Sequence, residues 1–77
     1  MSTNSDNYQK GLALFSQRVQ DLLDDGYHVV VKYEDNLLCL VKLRHHNGNK
    51  ITLKFNVREG IIYQLTNHIQ NYSYKVY

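Results

Sequence analysis

The side chains of this 77-residue chain that could do chemistry are few and scattered. His45 and His46 are adjacent, so on a strand their rings point to opposite sides, and in a loop they converge on one ion only with help from elsewhere. His28 and His68 are remote from them in sequence. Cys39 is the single cysteine, which excludes an internal disulfide and a Cys-based zinc knuckle. It lies between Leu38 and Leu40 with no activating base beside it, as a small apolar side chain would. Glu34, Asp35 and Glu59 could form a carboxylate cluster for a cation or for acid/base work, but exposed turn acids are the commoner case. There is no phosphate-binding glycine loop, no Ser/His/Asp constellation and no metal-ligand spacing. The expectation is a non-enzyme with no catalytic residue, no cofactor and no metal site.

Charge is more informative. The formal net charge of +2 is a difference between two unlike halves. In residues 1–26, Lys10 and Arg18 stand against Asp6, Asp21, Asp24 and Asp25, a net of −2. In residues 27–77, seven basic residues stand against Glu34, Asp35 and Glu59, a net of +4. A chain of this size has room for one core and no second lobe to form a cleft, and its 43% apolar and 21% charged content is that of a folded domain. No run reaches the ~18 apolar residues of a membrane helix, and the opening MSTNSDNYQK is polar where a signal peptide turns apolar. A soluble, unexported, cytoplasmic protein with no membrane partner is expected. The Asn-, Lys- and Tyr-rich composition suits the AT-rich genomes of phages and mobile elements.

The elements that must position these residues follow from periodicity. Residues 7–25 read as a helix, with Tyr8, Leu12, Phe15, Val19 and Leu22 on one face, Asp6 and Gln9 as a capping box, and Gly26 in the left-handed position that ends it. Residues 1–6 read as a flexible arm. Beyond Gly26 the apolar period becomes two, and strands are expected at about 27–33, 37–44, 50–57 and 61–66. The apolar sets are all odd-numbered: Tyr27 to Tyr33, Leu37 to Leu43, Ile51 to Val57 and Ile61 to Leu65. Three-residue loops at Glu34–Asn36, His46–Gly48 and Arg58–Gly60 would keep all of them on one face, pairing Tyr33 with Leu37, Leu43 with Ile51, and Val57 with Ile61. Residues 67–77 alternate as a fifth strand would at Tyr72, Tyr74 and Val76, while Ile69, Tyr72 and Val76 also match a helical face; an edge strand or extended tail is favoured. The expected fold is α+β, one N-terminal helix packed on a four-stranded antiparallel meander, or a five-stranded one with the tail.

With the odd face under the helix, the even face would carry an apolar centre of Val30, Leu38, Leu40 and Ile62 among Lys32, Lys42, Arg44 and Lys54. In that register Val30 stands opposite Leu40 and His28 opposite Lys42. These eight residues are the candidate partner-binding set: an apolar patch to be covered, and cations to steer toward an acidic protein surface. A small interaction module, inhibitor or regulatory adaptor is the expected function, with a second copy of the chain as another possible occupant. The alternative is nucleic-acid binding by phosphate contacts on the same face. Base stacking is not expected, because Tyr27, Tyr33, Phe55 and Tyr63 all share the inward parity.

Overall fold

The computed structural model describes the backbone of residues 3–77 and the side chains from residue 6 onward. One helix, α1 (Thr3–Asp24), precedes β1 (Tyr27–Glu34), β2 (Leu38–His45), β3 (Lys50–Asn56), β4 (Ile61–Thr66) and β5 (Ile69–Lys75). The five strands lie in chain order in one open antiparallel sheet. This is the expected helix-plus-meander α+β fold, with the tail as its fifth strand. The helix starts at Thr3 rather than residue 7, so Asp6 lies inside the first turn, where its carboxylate complements the positive end of the dipole. Of the expected flexible arm, residues 3–6 are helical, and residues 1–2 lie outside the described residues.

The apolar stripe of α1 faces the sheet as its spacing requires. Phe15 and Leu22 are buried with Cys39, Val41, Leu43, Ile51, Leu53, Phe55, Ile62 and Val76, and Tyr8, Leu12 and Val19 pack at the margin. Gly11 sets the approach of helix to sheet: a Cβ there would stand 2.0 Å from Phe55 Cζ, so only the missing side chain lets α1 lie on that ring.

The turns decide which strand residues join this core. Between β2 and β3 the expected three-residue loop is present, with Gly48 at φ 98° and Leu43 paired with Ile51. The strict alternation of both strands then places Cys39, Val41 and Leu43 beside Ile51, Leu53 and Phe55 under the helix.

The other two expected loops are corrected. At the β1–β2 turn, Asp35 Oδ1 accepts the N–H groups of Leu37 and Leu38, both at 2.8 Å, and Asp35 N–H donates to Leu38 O. That bonding closes the hairpin around Asn36 and Leu37, so Tyr33 pairs with Leu40 and not with Leu37. A bulge between Val29 and Val31 shifts the register by one residue and sets Val29 opposite Leu43 on the helix side, where Val41 was expected as its partner. His28 consequently faces Arg44, not Lys42, and Val30 is the extra residue of the bulge, not the partner of Leu40.

At the β3–β4 turn, Asn56 Oδ1 accepts the Glu59 N–H and Asn56 O accepts the Gly60 N–H. A four-residue loop results, Asn56 pairs with Ile61, and the even loop length inverts the parity of β4. Ile62 and Gln64 therefore go under the helix, and Ile61, Tyr63 and Leu65 go to the other face. Gln64, 6% exposed, is made tolerable there by Arg18, whose Nε and Nη2 donate to its Oε1 at 3.0 and 2.9 Å. The β4–β5 hairpin turns on Asn67 and His68, both at positive φ (52° and 71°), the geometry of a two-residue turn matched to strand twist.

Candidate functional site

With α1 on one side, no element among the described residues covers the other side of the sheet. Its surface is read directly from the register as rows running across the strands. One row is Tyr33, Leu40, Lys54, Tyr63 and Ser73; the next is Val31, Lys42, Thr52, Leu65 and Gln70. Outside them lie Leu38, Asn56, Ile61 and Lys75 at one end, and His28, Arg44 and Lys50 at the other.

Five of the eight sequence-selected residues, Leu38, Leu40, Lys42, Arg44 and Lys54, come together on this open face. Val30 joins them through the bulge: with Val31, Lys42, Arg44, Lys50 and Thr52 it lines a pocket of about 230 Å3. Two residues do not join. Lys32 pairs with Val41 and so belongs to the helix side, and Ile62, 3% exposed, is a core residue opposite Phe55. The turn chemistry of Asp35 and Asn56 put them there.

The same inversions bring to the open face residues that sequence reasoning assigned to the core: Val31, Tyr33, Ile61, Tyr63 and Leu65. The signal that marks them is the pair of turn-forming side chains, Asp35 and Asn56, each placed to bond the amides that follow it. Tyr33 is 51% exposed and donates its hydroxyl to Asp35 Oδ2 at 2.6 Å; Tyr63 donates to Glu59 Oε1 at 2.9 Å. Each hydrogen bond raises its tyrosine's pKa above 10, and Asp35 is lowered by Tyr33 first and by the Leu37 and Leu38 amides next. The Lys54 ammonium lies 5.9 Å from the centre of the Tyr63 ring.

Electrostatically the open strands carry Lys42, Arg44, Lys50, Lys54 and Lys75, and no carboxylate stands opposite any of them in the register. Arg44 faces Lys50 directly, an arrangement that costs stability. The carboxylates of Asp35 and Glu59 are confined to the turns at the far end, in the bonds to Tyr33 and Tyr63.

Two further chemistry-bearing residues, His45 and Cys39, are structurally employed. His45 Nδ1 accepts the Asn47 N–H, which leaves Nε2–H to donate to Asp25 O at 3.2 Å; the ring joins strand β2 to the end of α1. Cys39 is buried, and that burial, then Glu34 and Asp35, pushes its thiol pKa up, away from thiolate reactivity. Among the described residues no group of three or more His, Cys, Asp or Glu is placed to hold a metal ion, and no helix is long and apolar enough to cross a membrane.

Fold and face together define a small α+β domain, one helix on an antiparallel meander whose second face is apolar, basic and uncovered. No family model, curated protein or solved structure matches the chain.

Proposed function

We propose that this protein is a non-enzymatic interaction module that binds the acidic surface of a partner protein with the open face of its sheet. The observation that carries this assignment is the composition of that face: apolar side chains from β1, β2 and β4 interleaved with five unopposed cations, including the like-charged Arg44–Lys50 pair. A like-charge pair kept on the regular β2–β3 ladder is accounted for by an anionic partner. The pocket beside Val30 and Val31 suits an acidic side chain, its stem on the valines and its carboxylate among Lys42, Arg44 and Lys50. Occupying a partner's surface in this way is the action of an inhibitor or regulatory adaptor.

Nucleic-acid binding on the same face is the second assignment, and the exposed Tyr33 ring, with half-buried Tyr63 in the same row, favours it beyond phosphate contacts alone. Against it, each ring is tethered to a turn carboxylate, which sets a negative charge where the backbone of a stacked nucleotide would run.

The test uses the full chain, a Leu40→Glu variant and a Lys42→Glu/Lys54→Glu variant as baits in affinity purification from the native host with mass spectrometry, each checked for folding by circular dichroism. Labelled single-stranded oligonucleotides are titrated in parallel across salt. A partner retained by the native chain and lost with Leu40→Glu is expected. Binding that survives Leu40→Glu, fails with the lysine variant and weakens steeply with salt moves the assignment to nucleic acid. A partner indifferent to both variants removes the open face from the function.

A further inference from the structure

The strand β1 is a sheet edge, and its composition is self-complementary. Val29, Val30, Val31 and Tyr33 are all between 43% and 51% exposed. The bulge at Val30 blunts the first half of this edge in the usual manner, but from Val31 to Glu34 the strand is regular. Asp35 N–H bonds Leu38 O across the hairpin, so by the alternation of the backbone Tyr33 also turns its amide and carbonyl toward β2. Lys32 and Glu34 turn theirs outward to the free edge.

We infer that β1 pairs antiparallel with β1 of a second copy of this chain, about a two-fold axis at Tyr33, to make one continuous ten-stranded sheet. An isologous contact places residue i opposite j and j opposite i. With the axis at Tyr33, Lys32 lies opposite Glu34 of the second copy, and Glu34 opposite its Lys32. These are the residues whose backbone groups point outward, so each pair exchanges two N–H···O bonds while the two Tyr33 residues form the non-hydrogen-bonded pair at the centre. Moving the axis to Lys32 or to Glu34 would set like charges face to face, so charge selects the register.

A second feature agrees. Between α1 and β1 runs a groove of about 320 Å3, whose lining joins Leu12, Val19, Leu23 and Val29 to Lys32 and Glu34 of the pairing edge. Leu23 and Val29 are 38% and 43% exposed in the single chain. A two-fold axis perpendicular to the sheet puts both helices on the same side, so the groove of each copy opens toward the other. The pairing leaves the proposed partner-binding face open and doubles it, which makes the two assignments separable by mutation.

Sedimentation equilibrium on the full chain tests the pairing, together with oxidative cross-linking in a Cys39→Ala background. Lys32→Glu and Glu34→Lys should each weaken dimerisation at least about fourfold, because each makes two cross-strand pairs repulsive at once, and the double exchange should restore it. Tyr33→Cys should cross-link to its own copy, its Cα atoms lying ~4.5 Å apart in such a pair. Val31→Cys should not, since symmetry holds its two copies ~13 Å apart along the strands. A chain that stays monomeric at millimolar concentration, or a double exchange that fails to restore association, overturns the pairing. So does a dimer broken by Leu40→Glu and unaffected at Lys32, which would place self-association on the open face.

Discussion

Lys50→Glu should stabilise the protein while weakening its function, because the Arg44–Lys50 pair opposes folding and serves binding. The two residues face one another across β2 and β3 on the open side, and both are exposed. Directly opposed charges on a sheet change stability by about 0.2–1 kcal/mol, so reversing one sign swings the pair by roughly 0.4–2 kcal/mol toward the folded state. For a domain of this size about 1 kcal/mol raises Tm by about 4–8 °C. The backbone bonds of Lys50, from its N–H to Asn67 Oδ1 and from Asn67 N–H to its carbonyl, do not depend on the side chain and should survive. Thermal unfolding by circular dichroism at ~20 mM and 1 M salt reads the effect. The gain should be largest at low salt and shrink at 1 M, where the Debye length falls to ~3 Å. Lys50→Gln, which removes repulsion without adding attraction, should give about half of it. In the bait experiment the same Lys50→Glu protein should retain less of the acidic partner. A Tm that is unchanged or lower at low salt would refute the opposed pair, and a higher Tm with undiminished partner capture would refute its role in binding.

Other expected outcomes test the framework that holds the face. Gly11→Ala should destabilise by up to about 2 kcal/mol net in urea unfolding, because a methyl forced against the fully buried Phe55 ring costs about 1–3 kcal/mol and the helix-propensity gain returns only ~1 kcal/mol. A stabilised variant would show that α1 does not lie on Phe55. Arg18→Met should cost about 1–3 kcal/mol by leaving Gln64 Oε1 buried without its donor, whereas Arg18→Met with Gln64→Leu should recover most of the loss; strictly additive effects would mean that the two side chains do not meet. Asp35 has a lowered pKa, so its contribution to the β1–β2 turn is present above its ordinary value of ~3.9 and is lost as pH falls through the lower folded value. Acid titration followed by NMR at the Leu37 and Leu38 amides should show this transition, and Asp35→Ala should abolish it. Tyr63 has a raised pKa, and its bond to Glu59 should persist to pH above 10 and be lost as pH rises through the folded value, read by tyrosinate absorbance against Tyr63→Phe.

Much of the fold was legible because periodicity and alternation are local. The spacing of Phe15, Val19 and Leu22 specifies a helix face, and the strict alternation of 50–56, with Lys42 and Arg44 marking the open side of β2, leaves β2 and β3 one register that sets Cys39, Val41 and Leu43 beside Ile51, Leu53 and Phe55, with Gly48 able to close the loop. Strands β1 and β4 lack that constraint. Val29-Val30-Val31 and Ile61-Ile62-Tyr63 are apolar on both parities, so burial alone does not choose which side of either strand faces the helix.

What the sequence by itself determined was the order of the elements, the segregation of acid to the helix half and base to the sheet half, and the central register carrying Leu38, Leu40, Lys42, Arg44 and Lys54. Tertiary structure decided the rest of the face, through two polar side chains and two bulges, one at Val30 in β1 and one between β4 and β5 beside Leu65. Asp35 and Asn56 set loop lengths by bonding turn amides, and an even number of turn residues inverts a strand. That placed Ile62 and Lys32 on the helix side and brought Tyr33, Tyr63 and Leu65 out among the cations. The physical reason is that parity in a sheet is a count modulo two: one hydrogen bond that adds or removes a turn residue redirects every side chain of the strand beyond it.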